Sequence, residues 1–416
     1  MFQGKYVFSQ VMDTVVRYQF NQCVARYHGE HGVKRFSCWE QFLAMAFGQL
    51  THRESLRDVV VCLNAKRDTL YHIGFRAPVV RSTLAYTNEH RDWRIYRDLA
   101  QVLIGQARKL YVNDTIFNLD LDGTVYILDS TTIDLCLSVF PWATFRTTKA
   151  AVKLHTLMDL QGNIPAFFHI SEGKMHDVKF LDILTYEAGA YYVMDRGYLD
   201  YARLHRIQEA GAFFVTRAKD NLACKRLYSN QVDKKTGVRC DQVIRLSSYQ
   251  ASQHYPDKLR RIKYVDAETN RYYVFLTNDF NVSAKTIADL YKHRWQIELF
   301  FKWIKQHLKI QAFWGYSMNA VKAQICIAMS TYLIVAIMSK QLRIKRNLYE
   351  ILQILSVTPF DKTPITTLVS EFDLRTFDDQ AQKLPLLLDY LRNTSGLKTI
   401  LNEIDTKICL GKCQKK

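Results

Sequence analysis

Polar side chains at fixed spacing in residues 291–309 are the first candidates for chemistry in this chain. Counted from Tyr291, the residues Arg294, Glu298 and Lys305 lie 3, 7 and 14 positions further on. An α-helix turns by about 100° per residue, so one helix would place these four side chains within about 60° of one another. A single carboxylate among cations fits two interpretations. It is either part of a salt-bridged surface edge or a group directed at a partner outside the chain.

Apolar residues flank this polar stripe on both sides. One flank contains Trp295, Leu299 and Trp303, and the other contains Ile297, Phe300, Phe301, Ile304 and Leu308. A surface helix usually has one apolar face and one broad polar face. A narrow polar stripe between two apolar flanks therefore predicts that both flanks pack in a core while the charged line faces an opening.

Two aspartates complete a set of three acids with Glu298. The run TVYILDSTTIDL (124–135) is apolar on both faces up to Asp129, and YYVMDRGY (191–198) is apolar up to Asp195. Both runs are typical of strands that are buried on both faces. Active sites in α/β sheets gather where strands end, so we expect both aspartates at one edge of the sheet. Taken singly, each aspartate also fits a turn or capping position.

This combination of residue types favours phosphodiester chemistry. Three carboxylates without Cys or His neighbours are hard oxygen donors, which suit Mg²⁺ or Mn²⁺ better than zinc. Two such ions about 3.5–4 Å apart can stabilise the attacking and leaving oxygens at phosphorus. Arg294, Lys302 and Lys305 are then available to hold DNA phosphates, and Tyr291 to donate a hydrogen bond to one. Arg196 either contacts DNA or offsets the charge of its neighbouring aspartate.

The motif Tyr291-(2)-Arg294-(3)-Glu298-(6)-Lys305 resembles, at every spacing, the Y-(2)-R-(3)-E-(6)-K motif of the DDE transposases of bacterial insertion sequences. The family is the large "insertion sequence four" group. The stretches LDST at the first aspartate and MDRGY at the second are also similar to the family pattern. The resemblance covers about residues 113–340.

The resemblance implies a role for each motif residue. Asp129, Asp195 and Glu298 would be metal-binding catalytic acids. Tyr291, Arg294 and Lys305 would contact the transposon end. The implied cofactor is Mg²⁺, as two ions, with Mn²⁺ as an alternative.

The implied reaction starts with water attacking a phosphodiester at the end of the element, and the freed 3′-OH then attacks the opposite strand or target DNA. We expect double-stranded DNA as the partner, at both transposon ends and target, and a homodimer in the DNA complex.

The fold class that we predict is α/β, with an RNase H-like mixed sheet flanked by helices. Residues 1–112 have helical periodicity and 16 Lys/Arg against 9 Asp/Glu, which fits either a helix-turn-helix-type DNA-binding region or a plain helical subdomain. Residues 113–219 and 272–340 predict the catalytic domain, with the order β-β-β-α-β-α-β. Residues 220–271 predict a β-rich insertion before the last catalytic helix, and residues 341–416 a helical C-terminal region.

Several local expectations refine this outline. We expect a helix over DVKFLDILTYEAG (177–189) that is capped by Asp177. Ser283 should cap the helix that continues through residues 291–309. His155, on a predicted strand, is expected to be a packed histidine rather than a ligand.

Composition limits the class of protein. The chain of 416 residues has 57 Lys and Arg against 40 Asp and Glu, a net charge of +17, which favours a polyanionic partner such as nucleic acid. Its nine cysteines form no CxxC pair and predict reduced thiols in the cytoplasm. The resemblance to bacterial transposases implies an association with the nucleoid. The apolar stretch at 323–338 predicts a buried core helix, so we expect no membrane partner.

Aromatic residues bear on whether the reaction passes through a DNA hairpin. Family members that form hairpins hold a flipped base with aromatic side chains. Trp142 and Trp295 bracket a segment without tryptophan, so the insertion offers Tyr249, Tyr255 and Tyr264 for stacking on a base.

Three functions remain open at this point. The first is an active cut-and-paste transposase, which the presence of all six motif residues favours. The second is a transposase-derived, non-catalytic DNA-binding protein. The third is a Mg²⁺-dependent, structure-specific nuclease of the RNase H-like fold.

Overall fold

One mixed β-sheet with helices packed on it organises the chain, and the computed structural model describes residues 4–112, 121 and 123–370. The strands are β1 Val125–Leu135, β2 Thr144–Arg146, β3 Lys149–Asp159, β4 Ile164–Glu172, β5 Tyr191–Met194, β6 Phe213–Arg217, β7 Cys224–Asn230, β8 Val238–Leu246, β9 Leu259–Asp266 and β10 Arg271–Thr277. The α-helices are α1 Val7–Met12, α2 Arg17–Arg26, α3 Cys38–Leu50, α4 Leu56–Asn64, α5 Arg81–His90, α6 Arg94–Tyr111, α7 Tyr201–Glu209, α8 Tyr249–His254, α9 Ala284–Lys292, α10 Trp295–His307, α11 Met318–Gln341, α12 Leu348–Val357 and α13 Ile365–Leu368.

The first strands form an antiparallel group that two parallel strands extend. β3 pairs antiparallel with β1 and with β4, whereas β5 pairs parallel with β1 and with β6. The resulting order β4-β3-β1-β5-β6 is that of an RNase H-like core. The predicted fold class, a mixed sheet flanked by helices with helical N- and C-terminal regions, is therefore confirmed for the residues that the structure describes. The predicted domain boundaries stay a prediction, and residues 371–416 lie outside the described residues.

The segment between β6 and β10 extends the same sheet. β10 pairs with β6, and β9, β8 and β7 then follow in order to the far edge. Arg260 on β9 is buried and makes two 2.9 Å hydrogen bonds to the carboxylate of Asp241 on β8. The same guanidinium donates to the carbonyls of Asp279 and Val282, just before α9 begins. This one side chain therefore connects the added strands to the start of the helix that carries Tyr291.

Helix α11 forms the centre of the helical layer. By length and composition it could cross a membrane, but 94% of its most apolar window is buried inside the protein, as expected for a core helix. Its buried Gln324 accepts a hydrogen bond from the Trp314 N–H and donates to the carbonyls of Lys309 and Ala312. Gln49 on α3 accepts from the Lys309 N–H at 2.8 Å. The loop after α10 is thus bound from two sides, which fixes where α10 ends.

The expectation of one continuous helix through residues 291–309 is wrong. Helix α9, capped by Ser283 as predicted, ends at Lys292, and α10 runs from Trp295 to His307. Between them the backbone makes short-range turns, with the Arg294 N–H bonded to the Tyr291 carbonyl at 3.0 Å. The break has a packing cause, because α9 lies along β5, β6 and β8 whereas α10 lies along β1. Lys309 follows the extended residue Leu308 and therefore lies outside α10.

The predicted helix over residues 177–189 is also wrong. A 3₁₀ helix covers Asp177–Asp182, and the chain then follows an irregular path to β5. Tertiary hydrogen bonds replace the helical ones, since Glu187 accepts from the Tyr126 hydroxyl at 2.6 Å and its N–H donates to the Tyr192 hydroxyl at 2.9 Å.

Replacing Arg260 with Met should lower the free energy of unfolding by about 3–5 kcal/mol, because Asp241 would remain as a buried, unpaired charge. Urea denaturation of the purified chain measures this difference. Arg261→Met is the matched control, since this half-buried neighbour makes one side-chain hydrogen bond to Gln242 and should lose less than about 1 kcal/mol. Equal losses for the two variants would contradict a structural role for the buried pair.

Candidate active site

Asp129 lies where the central strand loses one of its two neighbours. β5 pairs with β1 up to the partners Leu128 and Met194, whereas β3 pairs with β1 as far as Leu135. The expectation that Asp129 ends its strand is therefore wrong, because the antiparallel partner continues. The burial of β1 changes at this position, from full burial over residues 125–128 to partial exposure over residues 129–132. The Asp129 carboxylate is thus held by a strand but faces an opening.

Asp195 lies beside it on the neighbouring strand. It follows Met194, the last residue of β5, and the register pairs Met194 with Leu128. Adjacent strands are about 4.8 Å apart, so two carboxylates that follow paired residues leave the sheet side by side.

Two motif residues contact these acids directly. The Tyr291 hydroxyl, at the end of α9, donates to Asp195 Oδ1 at 3.2 Å. The Arg294 guanidinium, at the start of α10, donates to Asp129 Oδ2 at 3.3 Å and to Glu298 Oε1 at 2.5 Å. The break between α9 and α10 therefore lies at the point where both side chains reach the acids.

Burial and neighbouring charges shift the pKa values of the residues in the site. Burial raises the pKa of Asp129 to about 6, against the lowering effects of the Ser130 N–H and Arg294, while Glu298 and Asp195 raise it further. Burial alone would lower the pKa of Arg294. Its contacts with Glu298, Tyr291 and Asp129 outweigh burial and raise that pKa, so the guanidinium stays charged. Burial also raises the pKa of Tyr291, which keeps its hydroxyl protonated as a donor.

The remaining predicted residues are spread around this centre. Lys305 donates to the carbonyl of Thr132 on β1 at 2.8 Å, and burial lowers its pKa. Lys302 is exposed on α10. Arg196 is half-exposed and lies 3.9 Å from the carboxylate of Asp220.

The predicted metal site depends on how the three acids are placed. Asp129, Asp195 and Glu298 supply the oxygen donors that divalent ions such as Mg²⁺ prefer. Glu298 has 56% of its side chain exposed and is turned toward Arg294. Within residues 4–112, 121 and 123–370, no three Asp, Glu, His or Cys side chains lie close enough together to hold a metal ion as placed. The set fits a divalent ion by chemistry and by strand position, provided that the Glu298 side chain rotates.

Sequence reasoning missed two residues beside the first aspartate. Asp177 does not cap a helix; its carboxylate accepts from the Ser130 hydroxyl at 2.7 Å and from Lys153 Nζ at 3.0 Å. Lys153 lies close to Ser130 because β3 pairs with β1 and places Lys153 opposite Thr132. The alternation of side chains along β3 is the signal that could have found Lys153, once the register of β3 against β1 is known.

His155, on the same strand β3, is packed as predicted. It is fully buried, with its ring 5.1 Å from that of Phe180 and Nε2 within 2.9 Å of the Ser171 hydroxyl.

A cavity of about 280 Å³ opens next to Tyr291. Its lining is aromatic and basic: Arg217, Tyr264, Arg271, Tyr273, Phe275, Tyr291, Lys292, Arg294 and Trp295, together with Asp266 and Ala288. The flank of Trp295 and Leu299 is 46% and 43% exposed, so the expectation that both apolar flanks pack in a core is wrong for this one. The opposite flank is buried as predicted.

The three tyrosines proposed for stacking differ in position. Tyr264 lines the cavity. Tyr255 is fully buried and its hydroxyl donates to Gln208. Tyr249 is 81% exposed on α8, outside the cavity lining.

Comparisons with known proteins identify relatives of this chain. Residues 120–334 match the family described as "Transposase DDE domain", and residues 3–76 match a domain of unknown function, DUF4372. The "Putative transposase y4zB" of Sinorhizobium fredii is 34% identical over 267 residues, which cover 63% of this chain and 72% of that protein. The "Probable transposase for insertion sequence element IS5377" of Geobacillus stearothermophilus is 31% identical, covering 64% and 69%.

Among solved structures, a cryo-EM structure of the piggyBac transposase synaptic complex with hairpin DNA aligns with 91% of this chain and 85% of that chain. The TM-score is 0.44 at 10% identity. A similarity this low carries no weight for fold or function.

Asp129→Asn should stabilise the folded chain at neutral pH, in EDTA, and have little effect near pH 4. The pKa of about 6 in the folded chain lies above the value of about 3.9 in an unfolded one. The stability that protonated Asp129 contributes is therefore fully present below about pH 4 and is lost as the pH rises through 6. Removing the charge should recover up to about 3 kcal/mol at pH 7–8, as measured by urea denaturation across pH.

Asp134→Asn is the control, because Asp134 is an exposed residue of the same strand. The free energy of unfolding of this variant, relative to wild type, should not increase with pH. A stability difference between wild type and Asp129→Asn that is flat from pH 4 to 8 would contradict the burial of this carboxylate.

Proposed function

Because this chain belongs to the DDE transposase family, whose members cleave DNA and transfer the cut strand, we propose that it moves an insertion sequence by cut-and-paste transposition. Cleavage takes place at the terminal inverted repeats of the element. The observation that supports this most is the contact of Tyr291 and Arg294 with all three acids, since it unites the family motif in one place.

Asp129, Asp195 and Glu298 act as the catalytic acids in this proposal. Members of the family use divalent metal ions, and these carboxylates offer the oxygen donors for Mg²⁺, as two ions, or for Mn²⁺. Bound ions would supply electrostatic stabilisation to the attacking and leaving oxygens at phosphorus. Glu298 is the acid that has to turn, and its exposed position on α10 leaves it free to do so.

Arg294, Tyr291 and Lys305 position the DNA. A guanidinium that bridges two carboxylates has the same planar donor pattern that binds two phosphate oxygens. Arg294 can therefore exchange its contact with Glu298 for one with a phosphate when DNA enters. Lys302 and Arg196, which are exposed at the rim, add phosphate contacts that carry no sequence information.

The helical N-terminal region, which we place at residues 1–112, reads the element end in this proposal. Helix α5 is a suitable reading element because its inner face is bound in place: Asn88 accepts from Gln41 at 2.8 Å. Asn64 on α4 makes two hydrogen bonds to the backbone of Val79, just before α5. The outer face of α5 presents Arg81, Ser82, Tyr86, Glu89 and His90 to solvent.

The assembled protein acts in the bacterial cytoplasm, at the nucleoid. Two element ends have to be held together for transposition, so we propose that the DNA complex contains a homodimer. The basic net charge of +17 supports binding to both ends and to target DNA.

Alanine at Asp129, Asp195 or Glu298 should reduce cleavage of a linear duplex carrying the terminal repeats to below about one-hundredth of the wild-type rate. The assay uses purified full-length protein with Mg²⁺ and resolves products on a denaturing gel. Asp134→Ala, an exposed acid on the same strand as Asp129, should cleave at the wild-type rate.

The outcome distinguishes the alternatives. Wild-type protein that binds the repeats without cutting them would replace this proposal with a transposase-derived DNA-binding protein. Cutting that ignores the repeats would favour a structure-specific nuclease.

Arg81→Ala and Tyr86→Ala should weaken the preference for repeat DNA over mixed-sequence DNA by about 5- to 150-fold, because each would remove a base contact worth about 1–3 kcal/mol. Competition binding assays without divalent ions measure this ratio. Lys109→Ala, an exposed residue of α6, is the control and should leave the ratio unchanged. An unchanged ratio for both α5 variants would exclude α5 as the reading helix.

A further inference from the structure

The hairpin of β7 and β8 at the far edge of the sheet concentrates positive charge. Its six cations are all exposed: Lys225, Arg226, Lys234, Lys235, Arg239 and Arg245. The two acids of the hairpin are both engaged in structure. The Asp233 carboxylate accepts from the Lys235 N–H at 2.9 Å in the turn, and Asp241 is buried against Arg260. Six cations and one exposed acid, Asp233, therefore make up the charged surface of the hairpin.

These cations have no anionic partner within the part of the chain that the structure describes, because none of the six takes part in an ion pair there. Lys225 and Arg245 lie directly opposite each other in the antiparallel register. Like charges in this arrangement destabilise a strand pair. Leu227 and Tyr228 of the same edge strand are 45% and 63% exposed. Such a surface is favourable when a polyanion covers it.

Protection of the sheet edge explains part of this pattern but not all of it. Lysine and arginine on an edge strand discourage pairing with another chain, which accounts for Lys225 and Arg226 on β7. Arg239 and Arg245 lie on β8, which is an inner strand, and Lys234 and Lys235 lie in the turn. Edge protection needs none of these four.

The hairpin and the candidate active site share one sheet. Five strand spacings separate β5 from β7 in the order β5-β6-β10-β9-β8-β7. At about 4.8 Å per spacing, the edge strand β7 lies about 24 Å from β5 across the sheet. The alternation of parallel and antiparallel pairs makes β7 run in the same direction as β5. The hairpin turn therefore lies at the same edge of the sheet as Asp195.

We propose that the β7–β8 hairpin is a second DNA-binding surface, which holds the backbone of the duplex that leads into the active site. Successive phosphates of one strand lie about 3.4 Å apart along the helix axis, so about 24 Å corresponds to about seven base pairs from the cleaved bond. The surface recognises phosphate rather than sequence, because its donors are exposed Lys and Arg side chains. This proposal rests on the proposed function only in identifying the bound duplex as DNA of the element end.

The test compares three double variants of the full-length chain. Lys225→Gln with Arg245→Gln removes the opposed pair, and Lys234→Gln with Lys235→Gln removes the cations of the turn. The control changes Lys109→Gln and Lys345→Gln, two exposed lysines outside the hairpin. Binding to a mixed-sequence duplex is measured in EDTA over a range of salt concentrations, so the assay does not depend on cleavage.

Each hairpin variant should reduce the slope of log affinity against log salt by about 1.8, which is the loss of two phosphate contacts. The control should retain the wild-type slope. The variant without Lys225 and Arg245 should unfold at the same or a higher urea concentration than wild type, because a like-charge pair is removed. Loss of DNA affinity with stability retained separates a contact role from a folding role.

Hydroxyl-radical footprinting on a duplex with the terminal repeats locates the contact. Wild-type protein should protect the backbone about seven base pairs from the cleavage position, and the variant without Lys234 and Lys235, the cations of the turn, should lose this protection. Salt slopes identical to wild type in both hairpin variants would overturn the proposal and leave edge protection as the role of the hairpin. A wild-type protein that fails to cleave, but whose hairpin variants show the reduced slopes, would contradict the transposition proposal and support this one.

Discussion

The contact of the Arg294 guanidinium with Asp129 and Glu298 is the interaction on which the arrangement of this chain depends. Carboxylates that share a half-buried site repel one another, and Asp129 already has a pKa raised by burial. A guanidinium at 3.3 Å from one carboxylate and 2.5 Å from another offsets that repulsion. The backbone accommodates this by ending α9 before the arginine and starting α10 after it. The helix break, which results from the packing of α9 and α10 on different strands, thus also places the guanidinium between the carboxylates.

Remote contacts hold that break in place. The ring of Tyr291 packs 4.8 Å from that of Phe275 on β10, which seats the end of α9 on the sheet. Gln324 and Gln49 bind the loop that follows α10. These two buried glutamines thus fix the position of α10, because they bind the loop that follows it. Their burial is favourable only since each amide has its partners.

Much of this fold follows from local sequence patterns, and the remainder depends on pairings that no local pattern contains. Continuous apolar runs locate β1 and β5, Ser283 marks the start of α9, and the motif spacing selects Glu298. The continuation of β1 beyond Asp129 was missed because it depends on β3 as a partner. Lys153 was missed for the same reason, since the register of β3 against β1 places it opposite Thr132. The exposure of Trp295 escaped prediction because apolar character predicts burial, whereas this side chain lines a cavity.

The continuous sheet from β1 to β7 also fixes distances in steps of one strand spacing. A surface carried on a flexible linker can lie at any distance from a reaction centre, but one carried on a sheet edge lies at a whole number of strand spacings. Adding or deleting one hairpin moves that edge by two spacings, about 9.6 Å, or about three base pairs of DNA. Relatives that differ by a hairpin in this segment would consequently differ in reach by fixed steps, with the chemistry at the other end of the sheet unchanged.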